Sequence, residues 1–264
     1  MGAEASFGRW CSVTGYTYAI GDIHGRLDLL RLAIRAIVAD GHGEHHRIVT
    51  LGDYVDRGPD SRGVVDFLMT NGERLRIVSL KGNHEAMMVG AIRSGSTGAL
   101  SHWLFHGGEA TLRSYGWTGR RGPEGSLVPA DHLEWLDSRP LMLCEGQRVF
   151  VHAGLHPDRA LHEQDEKICL WIRDRFLDSA QGQHGLHVVH GHTPEWKRKT
   201  EAGRTERLAH RTNLDTGAYY TDRLSIGVFA DDTAGGPVKV LQVTAKGGES
   251  APVEVRPVAV GASR

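Results

Sequence analysis

Hydrophobic residues in the first third of the chain alternate between short continuous runs and runs with helical spacing. A continuous apolar run predicts a buried strand, whereas apolar residues three or four positions apart predict the buried face of a helix. In the first predicted helix these residues are Leu30, Ile34, Ile37 and Val38. Three strand–helix pairs are predicted in this way, at 17–20 and 27–39, at 47–51 and 62–70, and at 75–80 and 85–93. Such alternation is typical of a parallel or mixed sheet with helices outside it.

The pattern changes in the middle of the chain. Residues 94–140 contain glycine-rich turns and short helical pieces, which predict a helical insertion over one rim of the sheet. Strand-like runs then return at 148–151, 186–190, 224–230 and 238–243. We therefore expect one domain over residues 1–264, with a core at about 16–245 and tails at 1–14 and 246–264.

Composition excludes several classes of protein. The chain is 40% hydrophobic and 24% charged with a formal net charge of −1, which argues against a basic nucleic-acid binder. No run approaches the roughly 18 apolar residues of a membrane span, so no membrane partner is expected. Three distant cysteines without a CxxC pair predict neither disulfides nor a zinc knuckle, and a reducing cytoplasm fits best. The opening MGAEAS matches the loose myristoylation pattern, which we attribute to chance.

Polar residues that can bind metal ions follow directly after five of the predicted strands. The segments are GDIHG at 21–25, GDYVDRG at 52–58, KGNHE at 81–85, HAG at 152–154 and HGHTP at 190–194. Turn chemistry explains Asp and Asn beside glycine, but it does not require histidines at matching places. In α/β sheets ligands collect outside the carboxyl ends of strands, so these five loops are expected to meet in one crevice.

The donor types predict which ions would bind there. Asp, His and Asn suit manganese, iron, zinc or cobalt better than calcium, magnesium or a structural zinc site. There are too many candidates for one ion. A pair of ions bridged by a carboxylate would lower the pKa of a shared water from 15.7 towards roughly 7, which makes phosphate ester hydrolysis the natural reaction.

The ordered segments GDIHG, GDYVDRG and GNHE, roughly thirty residues apart, resemble the signature of the metallophosphoesterases. They closely resemble the PPP-type serine/threonine protein phosphatases with their small bacterial and phage relatives, and HAG, LWIR and GHT follow in order. The likeness covers roughly residues 16–230. It implies a calcineurin-like α/β fold, in which two mixed β-sheets pack face to face between helices, with a dinuclear site at one edge.

The resemblance also implies a ligand set for two divalent ions, with manganese expected and iron, zinc or cobalt as alternatives. The first ion would be bound by Asp22, His24 and Asp53, and the second by Asp53, Asn83, His152 and His192. A hydroxide bridging the two ions would attack phosphorus in line, without a covalent enzyme intermediate. None of the six ligand positions is missing from the sequence.

Four further residues are expected to act on the substrate. Arg57 and Arg173 would hold the phosphoryl oxygens, a task for which the planar guanidinium is better suited than an ammonium group. His84 would protonate the leaving alkoxide as a general acid. Asp56 would hold the His84 imidazole in the correct tautomer and keep it charged.

Other candidates have simpler interpretations. Period-two alternation places His190 and His192 on one face of their strand, so either could be a ligand, and the resemblance selects His192. Glu85 is interpreted as a carboxylate at a helix start, and Asp215 as a residue behind the ligands. Arg173 has an alternative position on a solvated helix face.

The expected activity is hydrolysis of phosphomonoesters, foremost phosphoserine and phosphothreonine in phosphoproteins. Symmetrical diadenosine tetraphosphate hydrolases share the same three segments and are the first alternative; residues 94–140 and 195–210 should discriminate the two. The second alternative is a catalytically inactive binding scaffold, which predicts lost ligands. The sequence does not predict an oligomeric state.

Overall fold

The computed structural model describes residues 15–41, 46–119, 127–179, 185–194 and 202–245. Both predicted tails, with the MGAEAS pattern, lie outside the described residues. So do residues 195–201 of the segment that was expected to bear on substrate choice.

Strands of the described residues form two five-stranded sheets. Sheet A has the order β10-β9-β1-β2-β3, and sheet B the order β4-β5-β6-β8-β7. Their bounds are β1 Tyr16–Ile20, β2 His46–Thr50, β3 Ile77–Ser79, β4 Met142–Glu145, β5 Arg148–Val151, β6 His187–His190, β7 Glu206–Arg207, β8 Arg211–Asn213, β9 Arg223–Ala230 and β10 Lys239–Thr244. The short strands β4, β7 and β8 were not predicted, because two to four residues carry too little periodicity.

Both sheets are mixed, and their parallel strands end level with one another. In sheet A the partners Ile20↔Thr50 and Thr50↔Ser79 are in register, so the loops after β1, β2 and β3 begin at the same edge. In sheet B, β5, β6 and β8 are parallel, with Phe150 opposite Val189. The outer strands β9 and β10 of sheet A and β4 and β7 of sheet B are antiparallel. This arrangement brings several strand ends to one rim.

Helices lie between and outside these strands. Their bounds are α1 Leu27–Asp40, α2 Ser61–Asn71, α3 Asn83–Ser94, α4 Thr97–Trp103, α5 Glu109–Ser114, α6 Ala130–Asp137, α7 Glu166–Trp171, α8 Asp174–Leu177 and α9 Ala218–Thr221, with a π-helical turn at Leu104–Gly108 and a 3₁₀ turn at Leu161–Glu163. Helix α1 buries Leu30, Ile34 and Ile37 as predicted. Val38 is 62% exposed, because it lies beside the buried face of the helix rather than on it. Among the described residues, no helix combines the length and the hydrophobicity needed to cross a membrane.

The predicted packing of two sheets face to face is confirmed by the core between them. Alternation along β1 directs Ala19 towards sheet B, whereas Tyr18 and Ile20 pack against the helices. Ala19 shares a buried cluster with Phe150 of sheet B and Phe229 of sheet A, whose rings meet edge to face with centroids 5.6 Å apart. The helical pieces predicted within 94–140 are present as α4, the π turn, α5 and α6.

Candidate metal centre

The loops that follow β1, β2, β3, β5 and β6 meet at one cleft, as their positions after the strands predicted. The cleft is lined by Asp53, Arg57, Asn83, His84, His106, Trp171, Arg173, His192, Pro194, Asp215, Gly217 and Tyr219. None of the six predicted ligands is more than 6% exposed. The structure therefore brings together residues that are up to 170 positions apart in the chain.

Asp53 lies at the middle of this group. Its Oδ2 is 3.4 Å from His24 Nε2, and its Oδ1 is 3.3 Å from His152 Nε2. Each carboxylate oxygen thus faces a different histidine. Two triads of metal-binding side chains share this residue, namely His24, Asp53 and His84, and Asp53, His152 and His192.

The histidine tautomers leave lone pairs directed at the centre. His24 Nδ1 donates to the Val55 carbonyl at 2.9 Å, and His152 Nδ1 donates to the Leu51 carbonyl at 2.8 Å. Burial lowers the pKa of both imidazoles, which favours their neutral forms. The bare Nε2 of His152 therefore lies 2.8 Å from Asn83 Oδ1, another acceptor. Two acceptors at this distance are stabilised by a cation between them.

His192 and Asp22 complete the same pattern. The Nδ1 atom of His192 is 2.9 Å from Asn83 Oδ1, and within the described residues its buried Nε2 has no hydrogen-bond partner. Its backbone N–H donates to Asp22 at 3.1 Å. Burial and the nearby carboxylates of Asp215 and Asp53 raise the pKa of Asp22. Bound divalent ions would relieve this repulsion, so the donor set fits divalent metals.

His84 is paired with a carboxylate on the side away from the cleft. Its Nδ1 donates to Asp56 Oδ2 at 2.6 Å, and its Nε2 lies 3.9 Å from Asp53 Oδ2. Burial opposes the charged imidazole, but Asp53 and Asp56 outweigh burial, and the pKa of His84 is raised. The pair has the geometry of a general acid and its orienting carboxylate.

The two predicted arginines flank the opening. Arg57 donates to His24 Nε2 at 2.8 Å and to His84 Nε2 at 2.9 Å, and its guanidinium lies over the Tyr219 ring at 5.0 Å. Arg173 directly precedes α8 and donates to Thr193 Oγ1 at 2.9 Å. Arg173 lies just before α8 rather than within it, and its side chain is exposed and lines the cleft.

Five predicted site residues have a left-handed backbone, which is uncommon for residues other than glycine. They are His24, Asp53, Asp56, Arg57 and His192, with φ between 45° and 72°. Strained backbone of this kind persists only where the surroundings hold it, and it is concentrated at functional sites. The side chains are therefore oriented by the folded structure rather than by local preference.

Glu85 supplies much of that support, and its interpretation as a carboxylate at a helix start is incomplete. The side chain is fully buried and accepts four backbone N–H groups, from Gly82, Asp53, Tyr54 and Val55, at 2.8–3.3 Å. A Cβ at Gly82 would lie 2.3 Å from the Asp53 nitrogen, so only glycine permits this approach. Glu85 thus joins the second and third loops of the site.

The period-two argument for His190 and His192 is wrong, although His192 is the residue at the centre. Strand β6 ends at His190, and His192 follows in a left-handed turn with φ of 67°. His190 packs on Phe176 at 5.0 Å and lies 3.3 Å from Arg211, away from the cleft. Once the strand ends, its alternation no longer applies.

Three residues at the cleft were not predicted from the sequence. They are Tyr219, Trp171 and His106, which all line it. The signal available for Tyr219 was its place just after NLDTGA, whose Asp215 also lines the cleft. Trp171 belongs to the LWIR segment at 170–173, whereas nothing in the spacing of His106 distinguishes it from a surface residue.

Comparison with known proteins identifies the family. The family model of the calcineurin-like phosphoesterases matches residues 16–219. The chain therefore belongs to this family of metal-dependent phosphoester hydrolases, which confirms the resemblance seen in the sequence segments.

Individual relatives carry two different names. Serine/threonine-protein phosphatase 1 of Salmonella typhimurium is 29% identical over 219 residues, or 80% of this chain and 90% of that protein. A symmetrical bis(5'-nucleosyl)-tetraphosphatase of Neisseria gonorrhoeae is 34% identical over 140 residues, or 53% of this chain and 44% of that protein. A crystal structure provisionally described as a diadenosine tetraphosphatase shares the fold, with 23% identity, a TM-score of 0.58 and coverage of 88% and 94%.

Proposed function

We propose that this protein is a metal-dependent phosphomonoester hydrolase that acts foremost on phosphoserine and phosphothreonine in proteins. The observation that carries the choice of substrate is the length of the shared sequence. The likeness to the Salmonella serine/threonine phosphatase extends over 90% of that protein, whereas the likeness to the Neisseria tetraphosphatase covers 44%. Substrate-binding residues in the unmatched part of the Neisseria tetraphosphatase would have no counterpart in this alignment, whereas nearly all of the Salmonella phosphatase is matched.

We assign the ligands as the geometry favours them. Asp22, His24 and Asp53 would hold one ion, and Asp53, Asn83, His152 and His192 the other; in support, Asp53 Oδ2 faces His24, its Oδ1 faces His152, and Asn83 Oδ1 lies beside both His152 and His192. When bound, such a pair of divalent ions, with manganese expected, lowers the pKa of a shared water to about 7 and neutralises phosphoryl charge.

The remaining chemistry belongs to side chains of the chain itself. Arg57 and Arg173 approach the cleft from opposite loops, and their guanidinium groups would bind and orient the phosphoryl oxygens. His84 would carry a proton on Nε2 and deliver it to the leaving oxygen, since Asp56 occupies Nδ1. Arg57 would have to leave His84 Nε2 and turn to the substrate, which provides three oxygens for it.

The first alternative is a symmetrical dinucleoside tetraphosphate hydrolase. The local identity of 34% with the Neisseria tetraphosphatase favours it, as do Trp171 and Tyr219 at the cleft, which offer surfaces on which a nucleobase could stack. A catalytically inactive scaffold is the second alternative. It receives no support from the ligand set, which is complete.

One experiment tests all three. Protein stripped of metal is supplied with manganese, iron, zinc or cobalt, and the turnover of a phosphoserine peptide is measured beside that of diadenosine tetraphosphate. We expect recovery with manganese and a higher kcat/KM on the peptide. A strong preference for the dinucleotide would establish the first alternative, and failure of every metal to restore either reaction would favour the scaffold.

A further inference from the structure

The helical segment that runs from the end of α4 through the π-helical turn into α5, residues 103–111, contacts Asp56 of the Asp56–His84 pair. We propose that Trp103 and Thr111 are positioning residues, which hold the Asp56 carboxylate so that His84 presents Nε2 to the substrate. This inference rests on the proposed function, because it names what orients the general acid.

The Asp56 carboxylate is completely buried and accepts hydrogen bonds from three side chains. His84 Nδ1 donates to Oδ2 at 2.6 Å, and Thr111 Oγ1 donates to Oδ1 at 2.7 Å. Trp103 Nε1 donates to both oxygens, at 2.9 and 3.0 Å. Two of the three donors therefore come from the helical segment, and together they set the plane in which the carboxylate meets the imidazole.

The same threonine also holds the Asp56 backbone. The Asp56 N–H points at Thr111 Oγ1, 2.8 Å away, and at Ser61 Oγ, 3.0 Å away. Because the single Thr111 hydroxyl proton goes to Asp56, the 2.9 Å contact between the two hydroxyls must be donated by Ser61. All hydrogen-bonding capacity of Thr111 Oγ1 is thus used at Asp56 and Ser61.

Two adjacent glycines allow the segment to approach this closely. Gly107 has φ of 108°, and its carbonyl accepts the Arg57 N–H at 3.2 Å. A Cβ there would lie 2.8 Å from Arg57 Cγ, and a Cβ at Gly108 would lie 2.6 Å from the Trp103 ring. Glycines are unfavourable inside a helix, so their place in the π-helical turn is accounted for by these contacts.

The expected consequence is confined to proton delivery. Without a donor from the segment, the Asp56 carboxylate can rotate and His84 is no longer held at one angle. General-acid help matters most when the leaving alkoxide or phenoxide is a poor leaving group. Among the described residues, neither Trp103 nor Thr111 makes a side-chain hydrogen bond to a proposed metal ligand, so metal binding should be unaffected.

Thr111→Val removes the hydroxyl at nearly constant shape, and Thr111→Ser is the matched control that keeps it. With a series of aryl phosphates, we expect Thr111→Val to lower kcat about 10–100-fold for poor leaving groups, the usual range for an outer hydrogen-bond partner, and little for good ones. KM and metal content should be unchanged, and Thr111→Ser should behave as the wild type. Trp103→Phe provides an independent variant with the same expectation.

A double-mutant cycle separates positioning from general damage. In an Asp56→Asn background, Thr111→Val should have no further effect on the leaving-group dependence. Equal losses on good and poor leaving groups, or an undiminished loss in the Asp56→Asn background, would overturn the proposal.

A spectroscopic measurement keeps this inference distinct from the proposed function. The Nδ1 proton of the short His84–Asp56 bond should give a low-field proton resonance in metal-free protein, assigned by its loss in His84→Asn. We expect Thr111→Val to shift or broaden it and Thr111→Ser to leave it in place. An inactive wild type would refute the proposed function, whereas an unmoved resonance in Thr111→Val would refute the positioning role.

Discussion

The two sheets contribute to the candidate metal centre in different ways. Sheet A provides three loops whose side chains are held by one another, with Glu85 bonding the loops that carry Asp53 and Gly82. Sheet B provides two histidines that are held across the interface. His152 donates to Leu51 of sheet A, and the backbone of His192 donates to Asp22.

The two halves of the site therefore depend on different parts of the fold. The half around His24 needs only the consecutive strand–helix units of sheet A. The half around His152 and His192 needs the two sheets to be docked, because its histidines are oriented by sheet A contacts. Within the part of the chain that the structure describes, Asp53 is the residue common to both triads.

Asp53→Asn should have the largest effect, since it alters the one residue that both halves share. The amide can no longer offer two charged oxygens, so we expect loss of both ions and of nearly all activity, measured by elemental analysis and by turnover. The exposed carboxylate of Asp66 gives a matched control, Asp66→Asn. Normal metal content in Asp53→Asn would refute the bridging assignment.

His192→Asn should break only the sheet B half. We expect it to lose about half of the bound metal, and His24→Asn to lose the other half, because each removes a ligand on one side of Asp53. Metal titration followed by calorimetry reports the two stoichiometries. If either variant alone abolishes all binding, the halves are not independent.

His84→Asn tests whether that residue is an acid or a ligand, since the geometry also groups it with His24 and Asp53. We expect full metal content and a loss of about 10²–10⁴-fold in rate on poor leaving groups. Measurement of metal content beside the rates decides the assignment. Loss of metal in this variant would make His84 a ligand.

Glu85→Gln should weaken the sheet A half without removing a ligand. The new amide group cannot accept the N–H bonds that one carboxylate oxygen now accepts, so the loop of Asp53 loses part of its support. We expect metal affinity to fall about 10–100-fold, measured by competition with a chelating dye. Exposed Glu73→Gln is the control, and an equal fall there would point to a nonspecific charge effect.

His187 lies in sheet B outside the candidate metal centre and bears on acid stability rather than on metal binding. Burial lowers the pKa of His187 in β6 to about 4, where its ring meets Ala209 O and Thr212 Oγ1. The folded-state pKa lies below the ordinary value of about 6.5, so this stabilisation is complete above pH 6.5 and is lost as the pH falls towards 4. The slope is about 1.4 kcal/mol per pH unit.

Urea unfolding at several pH values measures that slope, and His187→Gln should flatten it between pH 6.5 and 4. An unchanged slope in the variant would assign acid sensitivity to other groups.

Much of the fold was predictable because its longer elements carry clear patterns. The first three strand–helix units, the strands β5 and β6 of sheet B, the strands β9 and β10 of sheet A and the helical pieces after Ser94 were anticipated from apolar periodicity and glycine positions. The strands β4, β7 and β8 were not, because their two to four residues pair through neighbours that lie far away in the chain. Val38 is a similar case for a single residue. Its spacing is compatible with the buried face of α1, but the packing of the helix leaves it exposed.

The amino-acid sequence alone specifies which donors are available, in which order, and that each follows a strand. Their orientation arises from the folded chain, as in the left-handed turn that separates His192 from the alternation of β6 and in the four backbone N–H groups that Glu85 accepts. The hydrogen bonds of Trp103 and Thr111 to Asp56, about fifty residues earlier in the chain, likewise could not be predicted from the local sequence pattern. The physical reason is that residue type and spacing are local properties, whereas orientation comes from hydrogen bonds and close contacts between segments that meet only in the folded chain.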